Sequence, residues 1–363
     1  MLKLNIGLSY PEQSFMNELE KLKLASQYNI DYVSVISVDK PRIKALWESV
    51  QENVDDNITL CSVPIYESII FEEDIKDTIK RHASYGVKAM TFHITPTYLI
   101  REAEETGYII NSRGGQFLRE QMEKDDKWEN PFFENFDELV LYAYECGVRT
   151  IFLGTSLRPG ACEKANKYTI NELKIACNFY DRYSNVMSLN FQIEAFGHVP
   201  VSEFPIYKYV LGTRSICAMG PLLTDAVNGF DELNAIIGYT LALKEGFNIS
   251  TECMISRSEH IKMPTVEDVE DECQKWRVSR LINGLVNDKR EAYKEEILVI
   301  TKKEKQRKQC SSHVNIFGPM YIQETCNVCG KDKDGNDKCP LRKAKLIKSG
   351  RLNATLVKGE KNG

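Results

Sequence analysis

Short apolar runs alternate with amphipathic stretches along most of the chain. Runs such as Thr150–Leu153 are apolar and β-branched, which predicts buried strands. Between these runs, apolar residues recur every three or four positions, as in Thr169–Tyr183, which predicts helices that pack on one face. The pattern predicts eight or nine strands, most of them separated by a helix.

The order of these elements indicates an α/β fold. The predicted strands are 3–8, 31–38, 58–65, 87–93, 108–112, 150–153, 187–194, 215–219 and 248–255. The predicted helices are 11–28, 41–54, 72–85, 115–127, 136–146, 169–183, 201–211 and 230–244. Such alternation implies a parallel sheet covered on both faces. Eight units fit a closed (β/α)₈ TIM-type barrel better than an open doubly wound sheet, and no glycine-rich dinucleotide motif follows the first strand.

The character of the chain changes after the predicted barrel. Two long charged helices are predicted over 266–287 and 289–306, and a polar cysteine-rich stretch and a lysine-rich end follow. We therefore expect four parts: a catalytic barrel over 1–262, a helical appendage over 263–309, a cysteine-rich iron–sulfur tail over 310–342, and a flexible basic terminus over 343–363.

Composition narrows the class of protein. With 42% hydrophobic and 27% charged residues the chain reads as globular, and a net charge of -5 gives no reason to expect nucleic acid as a partner. No apolar run reaches transmembrane length, and Lys3 leads straight into a strand-like segment, so we expect a cytoplasmic protein without a membrane partner. Seven cysteines, from Cys61 to Cys273, lie among apolar residues and fit small buried side chains.

Polar residues gather where the predicted strands end, which is where barrels of this class carry their active sites. The stretch Gln192–Pro200 places Glu194 and His198 directly after a buried run. A histidine satisfied by a backbone carbonyl in the core is the alternative, but we favour a site because similar clusters recur at other strand ends. The further candidates are His93, Ser112, Arg113, Gly114, Arg158, Asp225, Glu259 and His260.

Two of these clusters suggest specific ligands. Ser112–Gly115 opens a helix, where free backbone N–H groups and the Arg113 guanidinium suit a phosphate, although an arginine beside two glycines also occurs in ordinary loops. His198 and His260 follow different strands and could share a metal ion. Two histidines alone are an incomplete set of metal ligands.

The cysteine-rich tail allows two kinds of metal site. Cys310 and His313, followed after twelve residues by Cys326 and Cys329, match the spacing of a structural zinc site. Alternatively, Cys326, Cys329 and Cys339 could supply three thiolates to an iron–sulfur cluster with one iron left open. Spacing alone leans slightly towards zinc.

Five segments, in order, resemble the phosphomethylpyrimidine synthase family of thiamine biosynthesis, whose members rearrange aminoimidazole ribotide. A Cys326-x₂-Cys329-Gly330 motif follows them, and together they are hard to obtain by chance. The segments are Asn111–Gly115, Leu157–Gly160, Ile193–Pro200, Met219–Asp225 with Gly229–Asp231, and Ser258–His260 with Pro264.

The resemblance implies a radical S-adenosylmethionine (SAM) lyase on a (β/α)₈ barrel, in which a cluster-derived electron cleaves SAM and the resulting radical attacks the ribotide. It also implies a homodimer in which the tail of one subunit completes the active site of the other, and an electron donor such as flavodoxin or ferredoxin. The residue roles it implies are as follows: Cys326, Cys329 and Cys339 bind a [4Fe–4S] cluster; His198 and His260 bind zinc or another divalent ion; Ser112, Arg113 and Gly114 bind the substrate phosphate; His93 and Asp225 bind substrate; and Arg158 and Glu194 contact the reacting substrate.

The chain also departs from the family pattern. Thr155 and Ser156 stand where members carry Asp-Gly, so a carboxylate is lost, and Phe196 is expected to add bulk beside the site. Nine residues separate Cys329 from Cys339, which is more than the family's spacing. These departures suggest a divergent paralogue, such as a 5-hydroxybenzimidazole synthase that acts on an imidazole ribotide.

Two other classes of function remain open from the residues. One is a zinc-dependent barrel lyase or hydrolase, in which Glu194 acts as general base beside a metal held by His198 and His260, and the tail is a structural zinc site. The other is a catalytically inactive barrel that serves as a binding or regulatory subunit, which the long cysteine spacing permits.

Overall fold

Eight parallel strands close into a barrel in the order of the chain, with helices on the outside. This is seen in the computed structural model of the protein, which describes residues 1–7, 15–184 and 188–287, together with 294 and 333–335. The chain divides into two units, Met1–Val286 and Asn287–Gly363. The barrel belongs to the first unit.

The helices and strands have the following bounds. The strands are β1 Leu2–Ile6, β2 Tyr32–Val35, β3 Thr59–Ser62, β4 Ala89–His93, β5 Thr150–Gly154, β6 Asn190–His198, β7 Ile216–Leu222 and β8 Ile249–Cys253. The α-helices are α1 Phe15–Gln27, α2 Ile43–Asn53, α3 Pro64–Phe71, α4 Ile75–Ser84, α5 Thr97–Glu105, α6 Arg113–Lys124, α7 Pro131–Glu134, α8 Phe136–Glu145, α9 Lys167–Tyr183, α10 Phe204–Leu211, α11 Asp231–Lys244 and α12 Val266–Val286. A 3₁₀ turn, Val201–Glu203, precedes α10.

The barrel closes because β1 pairs with both β2 and β8. Lys3 lies opposite Tyr32 on one side and opposite Cys253 on the other. Side chains alternate along each strand, so one set packs outward against the helices and forms the main apolar core. A second, smaller apolar cluster lies inside the barrel and consists of Tyr32, Cys61, Ala89, Phe152 and Cys217.

The (β/α)₈ prediction is confirmed, but one predicted strand is wrong. Residues 108–112 form no strand, because β4 pairs directly with β5 and the sheet has no place for another between them. Their apolar run, Tyr108–Ile110, belongs to an irregular segment in which Ile110 is buried and Ile109 is exposed. Three helices were missed, which are α3, α5 and the short α7. Both α3 and α7 start at a proline, Pro64 and Pro131, and proline fits the first turn of a helix.

Strand β6 continues further than predicted. It runs to His198 instead of ending at Glu194, so both residues lie within the strand. The pairing with β7 shifts register between Phe196 and His198, and Phe196 and Gly197 both have positive φ angles, of 85° and 99°. This irregularity is a β-bulge, and a bulge re-aims the side chains that follow it.

The helix predicted after the barrel is present as α12, which packs against α1 and α11. The Trp276 indole on α12 is fully buried and donates to the Ile255 carbonyl at 3.2 Å. The second predicted helix, over 289–306, falls outside the described residues except at residue 294, and all four tail cysteines fall outside them. The four-part division of the chain therefore stays a prediction. No helix in the described part is long and apolar enough to cross a membrane.

A buried carboxylate joins α3 to its neighbours outside the barrel. Glu67 accepts hydrogen bonds from the Trp47 indole at 2.7 Å and from Arg81 at 2.6 Å, and its Oε1 lies 3.1 Å from His82 Nε2. Burial raises the pKa of Glu67, but His82, Arg81 and Trp47 outweigh it and lower the pKa to about 2. Glu67 is therefore an ionised group that ties α2, α3 and α4 together.

Candidate active site

Two adjoining cavities open at the carboxyl ends of the strands. The larger has a volume of about 660 Å³ and the smaller about 420 Å³. They share five lining residues, which are Asn5, Arg158, Met219, Glu259 and His260. The barrel therefore places its open space where enzymes of this architecture carry their active sites.

The cavity floor is the polar layer at the bottom of the larger cavity, formed by Lys3, Ser34, Thr91 and Glu194. Ser34 and Thr91 each follow a residue of the inner apolar cluster by two positions, so they lie directly above it. The Lys3 ammonium group lies 4.2 Å from the centre of the Phe152 ring, which belongs to the same cluster. The cluster thus plugs the barrel beneath the floor.

Glu194 is the centre of the floor's hydrogen-bond network. Its Oε1 accepts from Lys3 Nζ at 3.3 Å and from Thr91 Oγ1 at 3.1 Å, and its Oε2 accepts from Arg158 Nη1 at 3.4 Å. Burial raises the pKa of Glu194, but Lys3 and Arg158 outweigh it and hold the pKa below its usual value. An ionised carboxylate between two cations is a weak base, which does not favour the alternative with Glu194 as general base.

Arg158 reaches the floor from the turn after β5. Its guanidinium group donates to the Thr155 carbonyl and to Thr155 Oγ1, which fixes its direction. The bulge of β6 packs against the same turn: His198 N donates to the Pro159 carbonyl at 3.1 Å. A Cβ atom at Gly197 would lie only 2.7 Å from that oxygen, so only glycine allows this approach.

A buried carboxyl group on α9 accepts hydrogen bonds from the backbone of the turn after β5. Glu172 accepts from Ser156 N at 2.6 Å, from Leu157 N at 2.9 Å and from the Thr95 hydroxyl. Burial raises the pKa of Glu172 to about 7, although these hydrogen bonds act in the opposite direction. Because Arg158 directly follows these two amides, Glu172 positions the arginine without touching the cavity.

His93 ends β4 and lines the larger cavity. Its Nδ1 lies 3.2 Å from Ser156 Oγ, and its ring stacks on Tyr66 with 5.9 Å between the ring centres. Burial lowers the pKa of His93 to about 4, so the ring is neutral at pH 7. Gly114 makes room for it, since a Cβ at that position would lie 2.1 Å from His93 Cε1.

Helix α6 begins beside the cavities as the sequence predicted. Ser112 caps the helix by accepting from Gly115 N at 3.0 Å and donates to the Ser156 carbonyl at 2.6 Å. Arg113 lines the larger cavity and donates to the Ile36 carbonyl at 3.0 Å. The remaining N–H groups of the first turn have no partner within the helix, which suits an anion.

His198 and His260 come together as predicted, with 5.0 Å between their ring centres. Each has a carboxylate behind it: His198 Nδ1 lies 2.5 Å from Asp225 Oδ1, and His260 Nδ1 lies 2.9 Å from Asp231 Oδ2. A carboxylate on Nδ1 holds the proton there and leaves Nε2 as the free ligand atom, an arrangement that is usual behind metal-binding histidines. The pair therefore fits a metal ion.

Within the described ranges, no three His, Cys, Asp or Glu side chains converge as a metal site. The described residues would thus contribute two ligands, His198 and His260, to such an ion. Asp225, predicted to bind substrate, lines neither cavity and instead accepts from His198 and from Cys162 N.

Two of the three departures from the family pattern lie in the described residues, whereas the spacing between Cys329 and Cys339 lies outside them. Phe196 does not add bulk to the site: it packs outward against Phe204, Tyr207 and Phe247, so that expectation is wrong. Thr155 and Ser156 are fully buried and line neither cavity, so their hydroxyl groups contact site residues from behind: Ser156 Oγ lies 3.2 Å from His93 Nδ1. Thr155 Oγ1 donates to the Glu194 carbonyl at 2.9 Å.

The sequence analysis missed the polar residues of the first two strands. Lys3 and Asn5 alternate with Leu2, Leu4 and Ile6 in β1, and both line the larger cavity. In a barrel whose outer face is covered by helices, a polar residue at every second position of a strand points inward. That alternation was the available signal for Lys3.

Comparisons with known proteins agree with this arrangement. A sequence model of the Radical SAM ThiC family matches residues 2–339. The phosphomethylpyrimidine synthase of Thermotoga neapolitana is 30% identical over 312 residues, which cover 80% of this chain and 72% of that protein. Those of Desulforamulus reducens and Thermodesulfovibrio yellowstonii are 31% and 32% identical, over 76% and 74% of this chain and 66% of each protein. The chain therefore belongs to the radical SAM ThiC family.

Proposed function

We propose that this chain is a radical SAM lyase that rearranges aminoimidazole ribotide to hydroxymethylpyrimidine phosphate, a step of thiamine biosynthesis. The observation that carries the proposal is the family match over residues 2–339, which covers the whole barrel and extends to Cys339. The matched relatives are named phosphomethylpyrimidine synthase, which supports this substrate and product.

The substrate phosphate binds at the start of α6. Helix α6 is twelve residues long, and its N-terminus offers the backbone N–H groups of Ser112, Arg113 and Gly114 together with the Arg113 guanidinium group. Arg113 has no carboxylate among its hydrogen-bond partners in the described residues, so its charge is available to an anion.

Glu194, Arg158 and His93 hold the reacting end of the substrate. Glu194 is ionised and fixed between two cations, so it acts as an acceptor of defined direction. His93 is neutral, so it contributes hydrogen bonds and no charge. Glu194 and His93 are buried and Arg158 is half-buried, so a substrate held against them displaces water from the larger cavity.

His198 and His260 bind zinc or another divalent ion through Nε2. Asp225 and Asp231 support this role, because their contacts with Nδ1 orient both rings. We assign Asp225 to this orienting role and no longer to direct contact with the substrate.

Cys326, Cys329 and Cys339 bind a [4Fe–4S] cluster whose open iron holds SAM. When bound, this cofactor supplies the radical that starts the rearrangement. The enzyme works as a homodimer in which the tail of one subunit completes the active site of the other, and flavodoxin or ferredoxin donates the electron. The chain's own residues bind the ribotide, orient it and exclude water.

The test begins with full-length protein purified and reconstituted without oxygen. Iron and zinc are measured, and the reduced sample is followed by electron paramagnetic resonance before and after SAM is added. The variant combines Cys326→Ala, Cys329→Ala and Cys339→Ala. The matched control is Cys310→Ala, which changes a tail cysteine outside the proposed cluster. Products from aminoimidazole ribotide are identified by mass spectrometry.

We expect a [4Fe–4S] signal that shifts with SAM, survives in the control and disappears in the triple variant. We also expect hydroxymethylpyrimidine phosphate as the product. Cleavage of SAM without consumption of any imidazole ribotide would show the substrate to be wrong, and a hydroxybenzimidazole product would move the chain to the paralogue. Zinc in the tail without iron would exclude the radical mechanism, and failure to assemble any cluster would favour a binding subunit.

A further inference from the structure

The cavity floor contains more positive charge than its carboxylate needs. Glu194 accepts from both Lys3 and Arg158, although one cation is enough to balance it. Lys3 is only 3% exposed, and burying an ammonium group costs free energy unless its N–H donors have partners. The second cation therefore needs a further explanation.

Lys3 also has hydrogen-bonding capacity to spare. An ammonium group has three N–H donors. In the described part of the chain its hydrogen-bond acceptor is Glu194 Oε1, and the ammonium group itself lies over the face of the Phe152 ring, 4.2 Å from the ring centre. The group lines the larger cavity, so its remaining donors are available to whatever fills that space.

Ser34 adds an independent sign of a ligand at the same place. Its side chain is 1% exposed and lines the same cavity, yet its hydroxyl has no hydrogen-bond partner among the residues that the structure describes. Buried hydroxyls are nearly always paired, so an unpaired one facing a cavity indicates a missing partner. Ser34 and Lys3 stand on neighbouring paired strands, β2 and β1.

We propose that Lys3 and Ser34 form a polar subsite on the cavity floor that binds the substrate's heterocycle through a hydrogen-bond acceptor, at the end opposite the phosphate. This inference rests on the proposed function. It assigns the unsubstituted ring nitrogen of an imidazole ribotide to Lys3 and Ser34, and it leaves the phosphate to the start of α6. Lys3 is thus a residue that recognises the heterocycle and not only a counter-ion of Glu194.

The experiment compares two stable probes by titration calorimetry on the full-length, cluster-reconstituted protein. Imidazole ribotide contains the ring, the sugar and the phosphate, whereas ribose 5-phosphate lacks the ring. The variants are Lys3→Met, which keeps the apolar stem, and Ser34→Ala, which leaves the ion pair intact. The matched control is Lys23→Met, which removes a lysine that lines neither cavity and whose side chain is 54% exposed.

Lys3→Met is expected to weaken the affinity for imidazole ribotide about tenfold or more, because a charged hydrogen bond is lost. Ser34→Ala is expected to weaken it about three- to tenfold, because a neutral hydrogen bond is lost. Both variants should bind ribose 5-phosphate like the wild type, and the control should bind both probes like the wild type. If Lys3→Met does not fold, Ser34→Ala decides the question alone.

Three outcomes would overturn the subsite. Variants that bind imidazole ribotide like the wild type would show that the ring does not touch the floor. If the variants lost the same factor of affinity for both probes, Lys3 and Ser34 would act only through the shape of the barrel. A wild-type protein that binds neither probe would overturn the proposed substrate itself and the subsite with it, which distinguishes that failure from the other two.

Discussion

Replacing Glu172 by glutamine tests whether a buried carboxyl supports the turn that carries Arg158. The carboxyl group presents two acceptor oxygens, which receive the amides of Ser156 and Leu157 and the hydroxyl of Thr95. A glutamine keeps the volume but replaces one oxygen with an NH₂ group. That group is a donor, so it faces a backbone donor and leaves at least one buried N–H without a partner.

The expected change in the free energy of unfolding has two sources: the lost hydrogen-bond partner and the ionisation of the carboxyl group. A buried unsatisfied N–H costs about 1–3 kcal/mol, so Glu172→Gln should reduce the free energy of unfolding by about that amount at pH 5. The folded pKa of Glu172 is about 7, above the unfolded value. Stability from this group is therefore fully present below the unfolded pKa and is lost as the pH rises towards 7. Over that range the wild type should lose about 2–3 kcal/mol that the variant does not lose.

The assay is urea unfolding of the wild type and the variant at several values between pH 5 and pH 8. The difference between the two proteins cancels the contributions of all other titrating groups. We expect the variant to be clearly less stable at pH 5 and nearly equal to the wild type at pH 8. Glu20→Gln, at a side chain that is 48% exposed, is the control and should differ from the wild type by less than about 0.5 kcal/mol throughout.

A constant difference across the pH range would refute the reasoning about ionisation, because it would mean that Glu172 has the same pKa in the folded and unfolded chain. A variant as stable as the wild type at pH 5 would refute the claim that the two backbone amides depend on this carboxyl group. The two parts of the argument can therefore fail separately.

Three further predictions concern groups around the barrel. Glu67→Gln should remove about 3 kcal/mol of stability at pH 7; because the folded pKa is about 2, this contribution is present above the unfolded pKa and is lost in urea unfolding as the pH falls towards 2. Gly114→Ala should cost about 1–3 kcal/mol in the same assay, since its Cβ would overlap the His93 ring. Asp225→Asn and Asp231→Asn should each weaken Zn²⁺ binding, measured by calorimetry, by about 10- to 100-fold.

Each of these has a matched control. Glu138→Gln changes an exposed ion pair and should leave stability nearly unchanged, whereas an equal loss would contradict the role of Glu67. Adding His93→Ala should relieve the overlap in Gly114→Ala, and purely additive losses would show that the two residues do not interact. Asp181→Asn, at an exposed ion pair with Arg214, should not change Zn²⁺ affinity, and unchanged affinity in the Asp225 and Asp231 variants would exclude their orienting role.

The sequence predicted the barrel because its strand and helix periods are strong and repeat eight times. It failed where local pattern and tertiary packing disagree. Residues 108–112 begin with a short apolar run typical of a strand, but β4 and β5 pair with each other and leave no edge for a further strand. The predicted strand 187–194 ended too early, because positive φ angles at Phe196 and Gly197 let β6 continue through a bulge to His198.

The site was predictable where polar residues follow apolar strands, as for His93, Arg158 and the two histidines. Polar residues inside strands, such as Lys3 and Ser34, were missed, although the alternation of polar and apolar residues in β1 was a signal for Lys3. Contacts between partners that are distant in sequence were not predictable. The contacts of Asp225 and Asp231 with the histidines depend on loops that only the closed barrel brings together. Phe196 was misplaced because the bulge, which spacing does not reveal, turns it outward.

The contact between Lys3 and Glu194 has a consequence for how the protein is made. The two residues are 191 positions apart, so at about 5–20 residues per second the ribosome adds Glu194 about 10 to 40 seconds after Lys3. During that interval the lysine has no carboxylate to join, and burying its charge alone would be unfavourable. We expect Lys3 to react with an amine label in ribosome-bound chains that end before β6 and to be protected once β8 has been made. The first strand of the barrel is thus among the last elements to complete its native contacts.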